Sequence, residues 1–298
     1  MNDNLDIAMS DISVDICGVK WKNPIAVASG TFNFRESSQY YNVSALGCIT
    51  TKGVAPVAWA GNPTPRIAET YGGMLNSIGL ENRGVDEYIT GELKMLKEAG
   101  ATVMANVAGH SIEEYTEVVR KLANTDVDLL ELNISCPNIS SGGIAFGTNK
   151  DLASELVREV KKCSGNKPVV VKLSPNVTDI CEVALAVQSA GADAISMINT
   201  LLGMRIDIKT GKPVMANGAG GLSGPAIHPV AIRMVYEVAR VVNIPIIGMG
   251  GVMTGEDAYE FILAGATAVA VGTAALIDPA APVRILDELT PLLMSARD

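Results

Sequence analysis

Histidine is nearly absent from this sequence of 298 residues, which carries only His110 and His228. Metal centres are built from clustered His, Cys, Asp and Glu side chains, so no metal site is expected. The five cysteines, Cys17, Cys48, Cys136, Cys163 and Cys181, are odd in number and show neither a C-x-x-C pair nor a repeating interval. That spacing excludes a disulfide framework and makes a reducing cytoplasm the natural setting. Basic residues are outnumbered, with 23 Lys and Arg against 32 Asp and Glu and a formal net charge of −9. Nucleic acid and anionic membrane are therefore not expected partners, and any anionic ligand has to meet locally placed donors. Carboxylate pairs of the glycosidase type and a Ser-His-Asp triad also lack good candidates.

Long hydrophobic runs are missing too. Met1 to Asp11 carries acids and amides where a signal peptide needs positive charge followed by an apolar stretch, so no leader is expected. Phe261 to Ile277 contains no charged residue, but it is short for a membrane span. Gly265 and Gly272, with Thr267 and Thr273, divide it into a helix end, a strand and a loop.

What is present is an ordinary globular balance, 48% hydrophobic and 18% charged residues, enough for a large core. One unit recurs. Ala99-Gly100-Ala101, Ala190-Gly191-Ala192 and Ala264-Gly265-Ala266 each precede a short apolar run, as expected where a helix ends at a glycine cap and leads into a buried strand. About eight such strands are predicted, near 25–28, 48–52, 102–106, 129–133, 168–173, 194–198, 244–248 and 267–271. Amphipathic patterns predict helices near 36–44, 85–99, 111–124, 151–163, 178–190, 228–241, 254–264 and 279–295. Alternating strands and helices imply a parallel sheet, and eight strands imply closure. The expected architecture is a single α/β domain over residues 1–298, a (β/α)8 TIM barrel. Ile12 to Trp21, turning near Gly18, is expected to form a hairpin at one end. Connections at 53–84, 136–150 and 201–227 follow strands and are long enough to be functional loops on the C-terminal face.

Run after run ends in a polar residue or a glycine: Ser29, Lys52, Asn106, Asn133, Lys172, Asn199, Gly250 and Gly272. In a parallel barrel these ends share one mouth, where active sites sit. Two lysines and three carboxamides suit a planar ligand edged with C=O and N–H groups, and flavin and pyrimidine rings both fit. Gly248-Met249-Gly250-Gly251 and Val271-Gly272-Thr273 follow the seventh and eighth strands, where barrels often bind phosphate; tight turns would also explain these glycines. Cys48, Cys163 and Cys181 lie in apolar patterns and read as inert core thiols. Cys136 lies in a loop just past Asn133, followed by Gly142-Gly143, and reads as an active-site proton acceptor or nucleophile. On the residues alone, a Schiff-base aldolase using Lys172 and a barrel that only binds a ligand remain open.

Three motifs in order, Asn76-Ser77-Ile78-Gly79-Leu80, Asn133-Ile134-Ser135-Cys136-Pro137-Asn138 and Gly248-Met249-Gly250-Gly251, with Lys52 and Lys172 at strand ends, resemble the dihydroorotate dehydrogenases over nearly the whole chain. The cysteine at position 136 is the mark of the class 1 enzymes. The segments 142–148 and 220–227 resemble type 1B, the NAD-linked form, more than the fumarate-using type 1A. The resemblance implies oxidation of dihydroorotate to orotate in pyrimidine (UMP) biosynthesis, with FMN bound to this chain. Cys136 would take the C5 proton and FMN the C6 hydride. Lys52 would neutralise the substrate carboxylate, with Asn76, Ser77, Ile78, Gly79 and Leu80 as a wall and Asn133, Asn199 and Thr200 at the pyrimidine edges. Lys172 would face the flavin N1 and C2 carbonyl. Ser29, Lys52, Gly53, Asn106, Asn133, Ile198 and Gly224 would complete the FMN site, with Gly250, Gly251, Gly272 and Thr273 toward its phosphate. Type 1B further implies a partner subunit carrying FAD and [2Fe–2S], and a dimer of this chain within a heterotetramer. One departure is His228 where lysine is expected; it is expected to start a helix and leave the site assignment unchanged.

Overall fold

The computed structural model describes residues 11–134 and 146–296. Its strands in chain order are β1 (Val14–Ile16), β2 (Val19–Trp21), β3 (Ile25–Val27), β4 (Cys48–Thr50), β5 (Ile67–Thr70), β6 (Gly73–Asn76) and β7 (Val103–Val107). There follow β8 (Leu129–Asn133), β9 (Val169–Lys172), β10 (Ala194–Met197), β11 (Leu201–Met204), β12 (Ala219–Ser223), β13 (Ile246–Met249) and β14 (Ala268–Val271). The helices are α1 (Phe34–Ser37), α2 (Val85–Tyr88), α3 (Lys94–Glu98), α4 (Ile112–Leu122), α5 (Lys150–Lys161), α6 (Ile180–Ser189), α7 (His228–Val238), α8 (Gly255–Leu263), α9 (Thr273–Ile277) and α10 (Ala281–Ser295).

Strands β3, β4, β7, β8, β9, β10, β13 and β14 close, in that order, into a parallel barrel. Their side chains are buried on both faces, which is why they read as continuous apolar runs instead of alternating ones. The chain is thus an α/β protein of the (β/α)8 TIM-barrel class. The Ala-Gly-Ala units do what their composition implies: Gly100, Gly191 and Gly265 follow the ends of α3, α6 and α8 at φ +75, +102 and +108. The alanine after each is buried at the entry to a strand. A residue with a Cβ is strained at such φ values, so glycine makes the helix-to-strand reversal without cost.

The hairpin β1–β2 pairs Val14 with Trp21 and Ile16 with Val19, turning at Cys17 and Gly18. Ile16 and Trp21 are fully buried against the lower inward layer of the barrel, which includes Ala26, Met104, Leu129, Val170, Ala194, Ile247 and Ala268. Cys17 Sγ donates to the carbonyl of Asp193, just before β10, at 3.0 Å. The hairpin therefore closes the N-terminal end, opposite the mouth.

The structure differs from the sequence expectation in four places. Instead of a helix over 36–44 there is the single turn α1 and a 3-10 turn at Val43–Ala45. Asn33 and Asn42 each accept a backbone N–H two residues on, so each starts its own turn. The helix over 85–99 contains a π-turn at Ile89–Leu93, which brings Leu93, five residues after Tyr88, into the core in place of Glu92. The loops 53–84 and 201–227 are not bare: they supply a four-stranded antiparallel sheet ordered β11-β12-β6-β5. Its strands are short and glycine-rich, and β6 pairs with β12, Asn76 opposite Gly221, across much of the chain, so no local pattern announces it. Finally, after β14 the segment 273–277 is α9 and not a loop. No helix among the described residues is long and apolar enough to cross a membrane.

Replacing Trp21 by Ala removes the largest side chain of the barrel floor and is expected to cost about 3–5 kcal/mol in urea unfolding. A loss below about 1 kcal/mol would show that the hairpin does not seal the core.

Candidate functional site

Between the barrel mouth and the four-stranded sheet lies a cavity of about 670 Å³, within the size range of cofactor and substrate sites. All of the strand-end residues singled out above line it: Ser29, Lys52, Asn106, Asn133, Lys172, Asn199, Gly250 and Gly272. So do Gly53, Asn76, Ser77, Ile78, Gly79, Leu80, Ile198, Thr200, Gly224, Gly251 and Thr273. Cys136 lies outside the described residues.

The parallel register explains how residues from distant segments meet. Asn106 stands opposite Glu131, Asn133 opposite Lys172, and Lys172 opposite Ser196. All five point inward, and together they form a polar layer above the apolar one. Glu131, completely buried, accepts from Asn106 Nδ2 with one carboxyl oxygen and from Ser196 Oγ at 2.6 Å with the other. Asn133 Nδ2 donates to Asn106 Oδ1 at 3.4 Å. The backbone oxygen of Asn133 accepts from Tyr115 OH at 2.6 Å, and that ring packs edge-on against Phe146. Lys172, 4% exposed, donates to Ser29 Oγ at 3.0 Å. Asn106, Asn133 and Lys172 are thus each tied to a neighbouring strand or loop by a protein hydrogen bond.

Lys52 has no hydrogen-bond or ion-pair partner among the described residues. It also borders a second cavity of about 620 Å³ lined by Glu92. Burial raises the pKa of Glu92, and the nearby charge of Lys52 opposes that rise. Lys52 thus stands between the two cavities, with Glu92 on the side away from the main one. On the opposite wall Asn76 Nδ2 donates to Gly221 O at 3.3 Å, and Asn62 Nδ2 donates to both Ser77 O and Ser77 Oγ at 3.0 Å. Asn176 Nδ2 donates to Thr200 O at 3.0 Å. Thr273 Oγ1 donates to Ser223 Oγ at 2.8 Å, tying α9 to the sheet.

Sequence reasoning passed over Glu131, Asn62 and Asn176. For Glu131 there was a signal: a lone acid inside the apolar run Leu129-Leu130-Glu131-Leu132, two residues before Asn133 and so on the same strand face. The described cysteines are poor bases. Burial, with Asp193 and Asp15 nearby, pushes the Cys17 thiol up to about 11, and burial raises Cys48, Cys163 and Cys181 as well.

A closed α/β barrel whose mouth gathers two amines, three carboxamides and bare glycine backbone around one cavity has the architecture of a barrel enzyme with its site at the C-terminal face. A family model described as dihydroorotate dehydrogenase matches residues 11–293. Among curated relatives, "Dihydroorotate dehydrogenase B (NAD(+)), catalytic subunit" of Alkaliphilus metalliredigens is 56% identical over 278 residues, 93% of this chain and 92% of that protein. The proteins of the same name from Geobacillus kaustophilus and Lachnoclostridium phytofermentans are each 55% identical, covering 96% and 92% of this chain and 91% and 92% of their own lengths. The chain belongs to the dihydroorotate dehydrogenase family.

Glu131→Gln places an amide N–H2 against one of two buried donors. It is expected to cost about 1–3 kcal/mol in chemical denaturation and to loosen Asn106, whereas Glu131→Asp loses less because both acceptors remain. Equal stability of Glu131→Gln and the parent would refute the bridging role.

Proposed function

We propose that this chain is the catalytic subunit of an NAD-linked dihydroorotate dehydrogenase, oxidising dihydroorotate to orotate in cytoplasmic pyrimidine biosynthesis. The observation that carries the reading is the convergence of Lys52, residues 76–80, Asn133, Lys172 and Asn199 on one cavity, in a chain more than half identical to relatives of that name.

The residues present fit FMN. Lys172 offers buried positive charge, Ser29, Asn106 and Asn133 offer fixed polar groups, and the glycines at 250, 251 and 272 leave backbone open beside the cavity. Bound FMN would supply the acceptor for the hydride leaving C6 of the substrate. Lys52 would pair with the substrate carboxylate, and Asn133, Asn199 and Thr200 would hold the pyrimidine edges against the wall formed by Asn76, Ser77, Ile78, Gly79 and Leu80. Cys136 would take the proton from C5, so that the C5–C6 double bond forms as the two hydrogens leave in opposite senses. Ile198, Gly53 and Gly224 would pack the cofactor, and Gly250, Gly251, Gly272 and Thr273 would receive its phosphate. A separate subunit bearing FAD and [2Fe–2S] would carry the electrons on to NAD, in keeping with the words "catalytic subunit" in the relatives' names, and two copies of each chain would make a heterotetramer.

The purified chain is expected to be yellow and to bleach on anaerobic addition of dihydroorotate; a colourless protein that takes up no FMN would sink the reading. Reduction of NAD should require the iron–sulfur partner, while preference for fumarate would move the chain to type 1A. A borohydride-trapped adduct on Lys172 would favour the aldolase.

For the base, Cys136→Ala should keep FMN and lose most turnover. Cys136→Ser should retain weak activity that improves at high pH, because a hydroxyl is a far weaker acid than a thiol of pKa about 8.5. Unchanged turnover of Cys136→Ala would assign the proton to another group.

A further inference from the structure

His228 is the first residue of α7, and both of its ring nitrogens face acceptors. Nδ1 lies 3.0 Å from the carbonyl oxygen of Gly250, and Nε2 lies 2.9 Å from Glu260 Oε2 on α8. The ring packs edge-on against Phe261 at 5.4 Å, and the side chain is 13% exposed. A carbonyl can only accept, so Nδ1 carries the hydrogen of the first bond.

Gly250 and Gly251 sit at φ +135 and +73, and both line the main cavity. The turn is pressed against its support: a Cβ built on Gly251 would lie 2.7 Å from His228 Cβ and 2.8 Å from Gly224 O. In a trans peptide the C=O and the N–H point in opposite directions. Tying the Gly250 oxygen back to His228 therefore turns the N–H of Gly251, in the same peptide plane, away from the His228 ring, at a residue that lines the cavity.

We propose that His228 is a positioning residue for an anion-binding turn: through the Gly250 carbonyl it aims the Gly251 N–H at the cofactor phosphate, with Glu260 bracing the ring from α8. The inference rests on the reading that this turn receives the phosphate of FMN. A histidine in place of the lysine the family resemblance implies is then no neutral change, because its ring supplies a fixed donor to the turn.

The test is a comparison of FMN with riboflavin, which lacks the phosphate. The full chain, stripped of flavin, is titrated with each ligand by quenching of flavin fluorescence. The parent protein should prefer FMN strongly. His228→Leu, which keeps bulk and loses the donor, should weaken FMN about tenfold and riboflavin less than about twofold, the scale of one lost hydrogen bond. His228→Asn, whose amide nitrogen takes roughly the place of Nδ1, should restore FMN affinity to within about threefold. If His228→Leu does not fold, Glu260→Ala at the exposed end of the contact carries the same comparison, with a smaller loss confined to FMN. Equal weakening of both flavins, or of neither, overturns the proposal. A parent protein that binds riboflavin as tightly as FMN overturns the phosphate assignment beneath it.

Discussion

A carboxyl group completely enclosed in a barrel needs hydrogen-bond partners, and Glu131 finds two donors, Asn106 Nδ2 and Ser196 Oγ. From this bridge the ladder runs to Asn133, and the register places Lys172 beside both Asn133 and Ser196. The bonds exist because parallel strands in fixed register bring inward positions of neighbouring strands level with one another. They also divide the barrel into two parts. Below the polar layer the interior is apolar and sealed by Ile16 and Trp21; above it the chain can afford open amines and carboxamides. The cavity depends on that boundary, since side chains needing fixed orientation are buried deeply enough to be held and still face the mouth.

The roof has a different origin. Loops after the second and sixth barrel strands meet in one antiparallel sheet, and the backbones come too close for ordinary side chains. A Cβ at Gly73 would lie 2.0 Å from Ser223 O, and one at Gly221 would lie 2.0 Å from Thr200 Oγ1. Glycine at these positions lets the wall at residues 76–80 and the turn at Thr200 share one cavity. Lys52 stands where this roof meets the barrel, between two cavities, with Glu92 on its far side. The π-turn that admits Leu93 to the core keeps that acid on the flank of the helix, near enough to Lys52 to feel its charge.

Much of the site was legible because strand ends are legible. A buried strand is an uninterrupted apolar run, and where it stops at Lys52, Asn106, Asn133 or Lys172 the chain has reached the mouth. The barrel strands followed from their apolar runs, the glycine caps from the recurring Ala-Gly-Ala units, and the closing hairpin from the turn near Gly18. The side chains that hold the loop residues Ser77, Thr200 and Gly250 were not legible. Asn62, Asn176 and His228 act through hydrogen bonds to residues 15 to 24 positions away, and a polar residue in a loop carries no mark of what it will hold. His228 read as a helix start, which it is; its bond to Gly250 depends on where α7 meets the loop after β13.

By itself the sequence determined the alternation of strands and helices, the closure of the barrel and the residue types at its mouth, because burial imposes a period that local composition must obey. Tertiary structure alone decided the pairing of β6 with β12, the bridge through Glu131 and the brace of the Gly250–Gly251 turn. These are contacts between segments far apart in the chain, and their geometry is set by register and helix packing instead of by any neighbour in sequence.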